Sequence, residues 1–110
     1  MRVIWPVHNL WAWESQYIGI MSIAAVLKNY GFQSIVVPAN PESVISEIKK
    51  DSVPPVLAYS TTTPLSRHYL DLNSRIKKDH PEIFSIFGGS HPTYFPEAIK
   101  EADVDAICVG

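Results

Sequence analysis

A single cysteine, Cys108, stands among 110 residues, so the chain can close no internal disulfide and offers no thiolate cluster for zinc or an iron–sulfur centre. An excess of one charge is lacking too. Nine basic and eleven acidic residues leave a net charge of -2, and the basic ones (Arg2, Lys28, Lys49, Lys50, Arg67, Arg75, Lys77, Lys78, Lys100) are dispersed, with no electrostatic footprint for nucleic acid or anionic lipid. The longest mostly apolar run, Tyr17 to Leu27, falls well short of the ~20 residues that span a bilayer, and the first residues lack a signal-peptide layout. The expectation is a cytoplasmic protein with no nucleic-acid and no membrane partner. Also missing are GxGxxG, a P-loop, paired carboxylates, a Ser-His-Asp set and an activated cysteine, so no catalytic residue is assigned. A receiver domain is excluded because Pro6 and Ser60 to Thr63 stand where its acidic cluster and its aspartate belong.

What is present reads as one globular domain over residues 1–110, since 46% hydrophobic and 18% charged residues can bury enough surface to offset chain entropy. Five short runs rich in β-branched and aromatic residues recur: Val3 to Val7, Ser34 to Val37, Val56 to Ser60, Phe84 to Phe87 and Ala106 to Val109. Several are nearly continuous in apolar character, as expected of parallel strands covered on both faces.

Between them lie helical patterns. Ile20, Ile23, Ala24 and Leu27 fall on one helix face that Gly31 ends with a left-handed cap. Asn40 is an N-cap with Pro41 at the first helical position, Glu42 in the first turn and Lys49 and Lys50 in the last. A third helix opens at Thr63 and Pro64, aligns Leu65, Tyr69, Leu72 and Ile76, and stops before Pro81; a short fourth runs from Pro96 to Ala102. Strict alternation with right-handed crossovers predicts a three-layer α/β fold, Rossmann-like and flavodoxin-like, with a five-stranded parallel sheet in the order 2-1-3-4-5. The final helix is missing. The chain is therefore expected to be the N-terminal part of a longer protein, or to have that sheet face covered by another chain, with a dimer through it as one outcome.

In such sheets ligands bind outside the carboxyl ends of the strands, near the point where strand order reverses. The loops on that rim are Pro6 to Gly19, Ser60 to Pro64 and Gly88 to Pro96. They carry four consecutive hydroxyls (Ser60, Thr61, Thr62, Thr63), the run Gly88-Gly89-Ser90-His91-Pro92-Thr93, and a first loop with Trp11, Trp13 and Tyr17. Hydroxyls and open backbone suit amide or phosphate groups, paired glycines let a bulky partner approach, and aromatic rings add a flat apolar surface. The pattern points to a large, flat, partly polar ligand. Each feature alone has a plain structural reading: Thr63 as a helix N-cap, Gly88-Gly89 as a tight turn, His91 as a loop residue fixed by Pro92, the tryptophans as core. His8, His68 and His80 have no metal-ligand spacing and read as surface or capping residues, so no metal ligand is assigned.

The stretch Phe87-Gly88-Gly89-Ser90-His91-Pro92-Thr93, then Pro96-Glu97, then Asp105 to Gly110, is similar to a strand, GGxHPT, a helix begun by PE, and a last strand running into VxGEGE. Tyr17-Ile18-Gly19-Ile20 through Ala24-Ala25-Val26-Leu27 to Tyr30-Gly31-Phe32 is similar to the P-L-G-L...LAA-x-L...G-H segment that accompanies that pattern. The chain thus resembles, over nearly its whole length, the N-terminal cobalamin-binding domain of cobalamin-dependent radical S-adenosylmethionine enzymes. The resemblance implies cobalamin on the rim, bordered by Gln16, Tyr17 and Gly19 and lined by Ser60 to Thr63 and Gly88 to Thr93. It also implies a parent enzyme, of methyltransferase or cyclase type, whose C-terminal barrel binds a 4Fe-4S cluster and S-adenosylmethionine through a CxxxCxxC motif. With one cysteine, this chain binds neither and is a binding module without catalysis of its own.

Many other cobalamin proteins carry DxHxxG, whose histidine is the lower ligand of cobalt. Counted back from Gly19, this chain has Glu14-Ser15-Gln16-Tyr17-Ile18-Gly19, with glutamine at the histidine position. The expectation is that no protein histidine coordinates cobalt, His8 being the one exception to test. Two other readings stay open: a flavodoxin-like nucleotide- or flavin-binding domain, and a ligand-free partner-binding domain that uses the uncovered sheet face.

Overall fold

The computed structural model describes residues 2–8, 14–61, 66–89, 92, 94, 97, 100 and 103–108, and for residues 14–19 the backbone alone. In chain order the elements are β1 (Arg2–Val7), α1 (Glu14–Asn29), β2 (Gln33–Pro38), α2 (Pro41–Ile48), β3 (Val56–Ser60), α3 (Ser66–Asp79), β4 (Phe84–Gly88) and β5 (Ala106–Ile107).

Local chemistry sets the helix ends. Gly31 has φ of 83°, and with it Gly31 N–H reaches the Lys28 carbonyl (3.1 Å) while Phe32 N–H reaches that of Leu27 (3.0 Å). These two bonds satisfy carbonyls that the end of α1 leaves open. Asn40 is extended, and its Oδ1 accepts from Ser43 N–H at 2.8 Å, with Pro41 opening α2. α2 ends at Ile48, so Lys49 is its C-cap and Lys50 lies beyond it, rather than both in the last turn. α3 begins at Ser66 among the described residues; Thr63, Pro64 and Leu65, where the helix is expected to open, lie outside them, as do most of the fourth helix expected over 96–102 and the end of the fifth strand at Val109.

The sheet is parallel throughout, in the order β2-β1-β3-β4-β5, as expected. α2 and α3 cover one face. Val44, Ile48, Tyr69, Leu72 and Ile76 pack there on Ile4, Leu57, Tyr59 and Phe87, in the larger of two buried clusters. α1 covers the other face, where Ile20 and Leu27 meet Val3, Trp5, Val7 and Ala58. Among the described residues that second cluster is the smaller, with α1 as its covering helix. Val56 and Ile86 stay half-buried beside it and Phe84 is 49% exposed. Ile23, expected on the buried face of α1, is 50% exposed: with Val26, and with Tyr30 just past the helix, it forms a flank that meets no covering element among the described residues.

Entry to β5 is tied by polar groups at the amino-end rim. The side chains of Asn73 and Ser85 both donate to the Asp103 carbonyl at 2.8 Å, and Asp103 takes φ of 70°, a left-handed conformation aspartate tolerates better than most residues. Asp105 then accepts from Ser85 N–H at 2.8 Å and pairs with Lys77.

Candidate functional site

In this strand order the reversal falls between β1 and β3, so the crevice faces the residues just past Val7 and Ser60. β3 and β4 run in register to Ser60 and Gly88, and the ladder continues one step: Thr61 N–H donates to the Gly88 carbonyl at 2.8 Å. Cys108 N–H likewise donates to the Phe87 carbonyl at 2.8 Å, which brings the exits of β3, β4 and β5 side by side. Ser60 and Gly88 point toward the α1 face and are half-buried, and exposed Cys108 lies beside Gly88 on that face. Thr61 points toward the α2 and α3 face and is fully buried.

Among the described residues the buried Thr61 hydroxyl has no hydrogen-bond partner. Leaving such a group unsatisfied costs about 1–3 kcal/mol, so this hydroxyl is open to an acceptor supplied at the rim. Gly89 explains part of the geometry. Its φ is 93°, and a Cβ there would come within 2.8 Å of the Thr61 backbone, so this glycine serves the close approach of the two rim loops to each other. At Gly88 a Cβ would meet only Cys108 Cβ at 3.6 Å and the Tyr59 carbonyl at 4.0 Å. Pro92, past the paired glycines, is buried.

Of the expected site, then, Ser60, Thr61, Gly88 and Gly89 come together at the exits of adjacent strands. Thr62, Thr63, Ser90, His91 and Thr93 lie outside the described residues, as do Trp11 and Trp13. Gln16, Tyr17 and Gly19 are in the first turns of α1, since the helix starts at Glu14 and the loop expected to extend to Gly19 is correspondingly shorter. The side chains of residues 14–19 lie outside the description.

Sequence reading missed a bracket on the other side of the crevice. His8, the first residue past β1, donates its backbone N–H to the Tyr69 hydroxyl at 3.0 Å, and its ring lies against that of His68, with centroids 4.4 Å apart. His68 in turn lies 3.1 Å, through Nε2, from the carbonyl of Ala39, just past β2. The available signal was position, since residues opening the helix after β3 share the rim with the loop after β1. Burial is the larger influence on the Tyr69 phenol and raises its pKa, against the opposing effect of the His8 bond; burial also pushes the Tyr59 phenol far above its usual value, with Tyr69 nearby adding to this. Both phenols stay neutral. Among the described residues no three His, Cys, Asp or Glu side chains gather as a metal site, and no helix is long and apolar enough to cross a membrane. A groove of about 520 Å³ lies elsewhere, between α1 and the start of β2, lined by Met21, Ala24, Lys28 and Ser34 among others.

Residues 14–110 match the model of the B12 binding domain. No curated protein and no solved structure matches significantly. The flavodoxin-like sheet in 2-1-3-4-5 order is consistent with that match, and the chain belongs to the B12 binding domain family.

Proposed function

We propose that this domain holds cobalamin on the rim between β1 and β3, as the cobalamin-binding module of a radical S-adenosylmethionine enzyme of methyltransferase or cyclase type. The observation that carries the cobalamin part of the reading is the family match over residues 14–110. The residues present fit the ligand. Cobalamin carries amides around its corrin ring and a phosphate in its tail, and the orphaned Thr61 hydroxyl can donate to either kind of acceptor. Ser60 extends that set and Gly88 and Gly89 adjoin it, with Gln16, Tyr17 and Gly19 at the start of α1; the resemblance adds Thr62, Thr63 and Ser90 to Thr93 by their place in the sequence. When bound, cobalamin supplies a cobalt centre for alkyl-group chemistry.

The radical S-adenosylmethionine context rests on the run Gly88-Gly89-Ser90-His91-Pro92-Thr93 followed by Pro96-Glu97. In that context the 4Fe-4S cluster and S-adenosylmethionine belong to a C-terminal barrel in the parent chain, and this domain contributes binding and no catalytic group. The lower face of cobalt receives no protein histidine, because Gln16 stands where DxHxxG places one.

Titration of the chain with hydroxocobalamin, desalting, and ultraviolet-visible spectra of the protein fraction test the reading. Retained corrin absorbance with a base-off spectrum is the expected result. Absorbance that elutes wholly with the small molecules would overturn it.

A further inference from the structure

The bracket around His8 bears on which groups can reach cobalt. Three contacts from the first turn of α3 grip this region. The Tyr69 hydroxyl accepts the His8 N–H at 3.0 Å, the His68 ring lies 4.4 Å from the His8 ring at an inclination of 53°, and His68 Nε2 lies 3.1 Å from the Ala39 carbonyl. A carbonyl can only accept, so Nε2 of His68 carries the proton, and the ring's orientation is set by the exit of β2. Tyr69 is itself immobilised: it is 1% exposed, with its ring 5.6 Å from that of Tyr59 and 5.8 Å from that of His68.

These contacts also say on which side of the sheet His8 lies. Tyr69 packs with Ile4, Val44 and Ile76 in the cluster under α2 and α3. α1, whose first turns carry Gln16 and Gly19, packs through Ile20 on Val3, Trp5 and Val7, on the opposite face. The contacts that hold His8 therefore come from the α3 side, whereas α1, which carries Gln16, packs on the other face.

We infer that His68 is a positioning residue that holds the His8 imidazole on the α3 side of the crevice, with Tyr69 fixing the His8 backbone, so that the histidine β1 delivers to the rim is withheld from cobalt. This rests on the cobalamin reading above and deepens it: the histidine-free lower face follows from Gln16 and from active retention of His8.

The test uses cob(II)alamin bound to the chain uniformly labelled with 15N-histidine, read by electron paramagnetic resonance. A coordinating protein imidazole splits the cobalt lines into doublets, whereas the 14N of the cofactor's own base gives triplets. Wild type and His8→Ala are expected to give identical spectra without a doublet. His68→Ala is expected to gain the doublet, and the double variant His8→Ala/His68→Ala to lose it again. A doublet in wild type that His8→Ala removes overturns the proposal, and so does a His68→Ala spectrum unchanged from wild type. Nuclear magnetic resonance of the unliganded chain keeps the geometry testable by itself: a nuclear Overhauser effect between the His8 and His68 ring protons is expected, and its absence overturns the bracket whatever cobalamin does. If that effect is present and wild type retains no cobalamin, the cobalamin reading fails and the proposed role fails with it.

Discussion

A Cβ on Gly89 would lie 2.7 Å from the carbonyl oxygen of Thr61 and 2.8 Å from its nitrogen. Those atoms are backbone held in the β3–β4 ladder by the bond from Thr61 N–H to the Gly88 carbonyl, so neither side can yield cheaply. Together with φ of 93°, this leaves no room for a side chain at position 89.

Gly89→Ala is accordingly expected to lower stability by roughly 1–3 kcal/mol, read as a shift in urea midpoint at constant m-value. Gly88→Ala meets only ordinary van der Waals contacts and is expected to change stability by less than about 1 kcal/mol. Equal losses at both positions would contradict the contact assigned to Gly89.

Thr61 allows the ligand's contribution to be separated from the fold's. Thr61→Val removes a buried hydroxyl that has no partner among the described residues, so the unliganded chain is expected to be as stable as wild type or more stable by up to about 1 kcal/mol. Cobalamin retention is expected to fall about tenfold, the equivalent of one hydrogen bond worth about 1.4 kcal/mol. Equilibrium dialysis beside urea melts reads both quantities, and a variant that loses stability without losing affinity would remove Thr61 from the site.

Asp105 gives a pH dependence. Desolvation raises its carboxyl pKa, but the hydrogen bonds and charge of Lys77 and the Ser85 bonds outweigh it and hold the group below its ordinary value. A pKa depressed in the folded state contributes stability above the unfolded pKa, near pH 4, and that contribution is lost as pH falls through the folded value. Asp105→Asn is expected to cost about 1 kcal/mol at neutral pH and to converge on wild type in melts below about pH 4. A difference that persists at pH 2 would assign the loss to packing instead.

The exposed flank of α1 makes a prediction about association. Ile23 and Val26 on α1 and Tyr30 just past its end are 50%, 56% and 76% exposed, and Phe84 at the edge of the face α1 covers is 49% exposed. Apolar surface of this kind favours self-association. Sedimentation velocity is expected to show a concentration-dependent dimer of the chain, and Ile23→Lys with Val26→Glu to return it to monomer. A monomer at all concentrations would leave that surface without a partner copy.

How much of this was legible beforehand differs by residue. The alternation of strands and helices from β1 to β4, the Gly31 cap and the Asn40 cap with Pro41 are consequences of neighbouring side chains acting on their own backbone, and the structure reproduces each of them. The strand order follows from the same run of crossovers, because right-handed connections leave few alternatives. The rim itself was visible because Ser60, Thr61, Gly88 and Gly89 stand at strand ends.

Other features arise from segments distant in the chain. The approach of Gly89 to Thr61 spans 28 residues, the bond from His8 to Tyr69 spans 61, and that from His68 to Ala39 spans 29. No periodicity or cap motif carries such pairings, since they depend on how far each strand runs before its helix turns back. For the same reason Ile23 reads as core by helical spacing, yet it is half exposed. Spacing identifies a face of α1, whereas the extent of sheet that one helix can cover settles which residues of that face reach it.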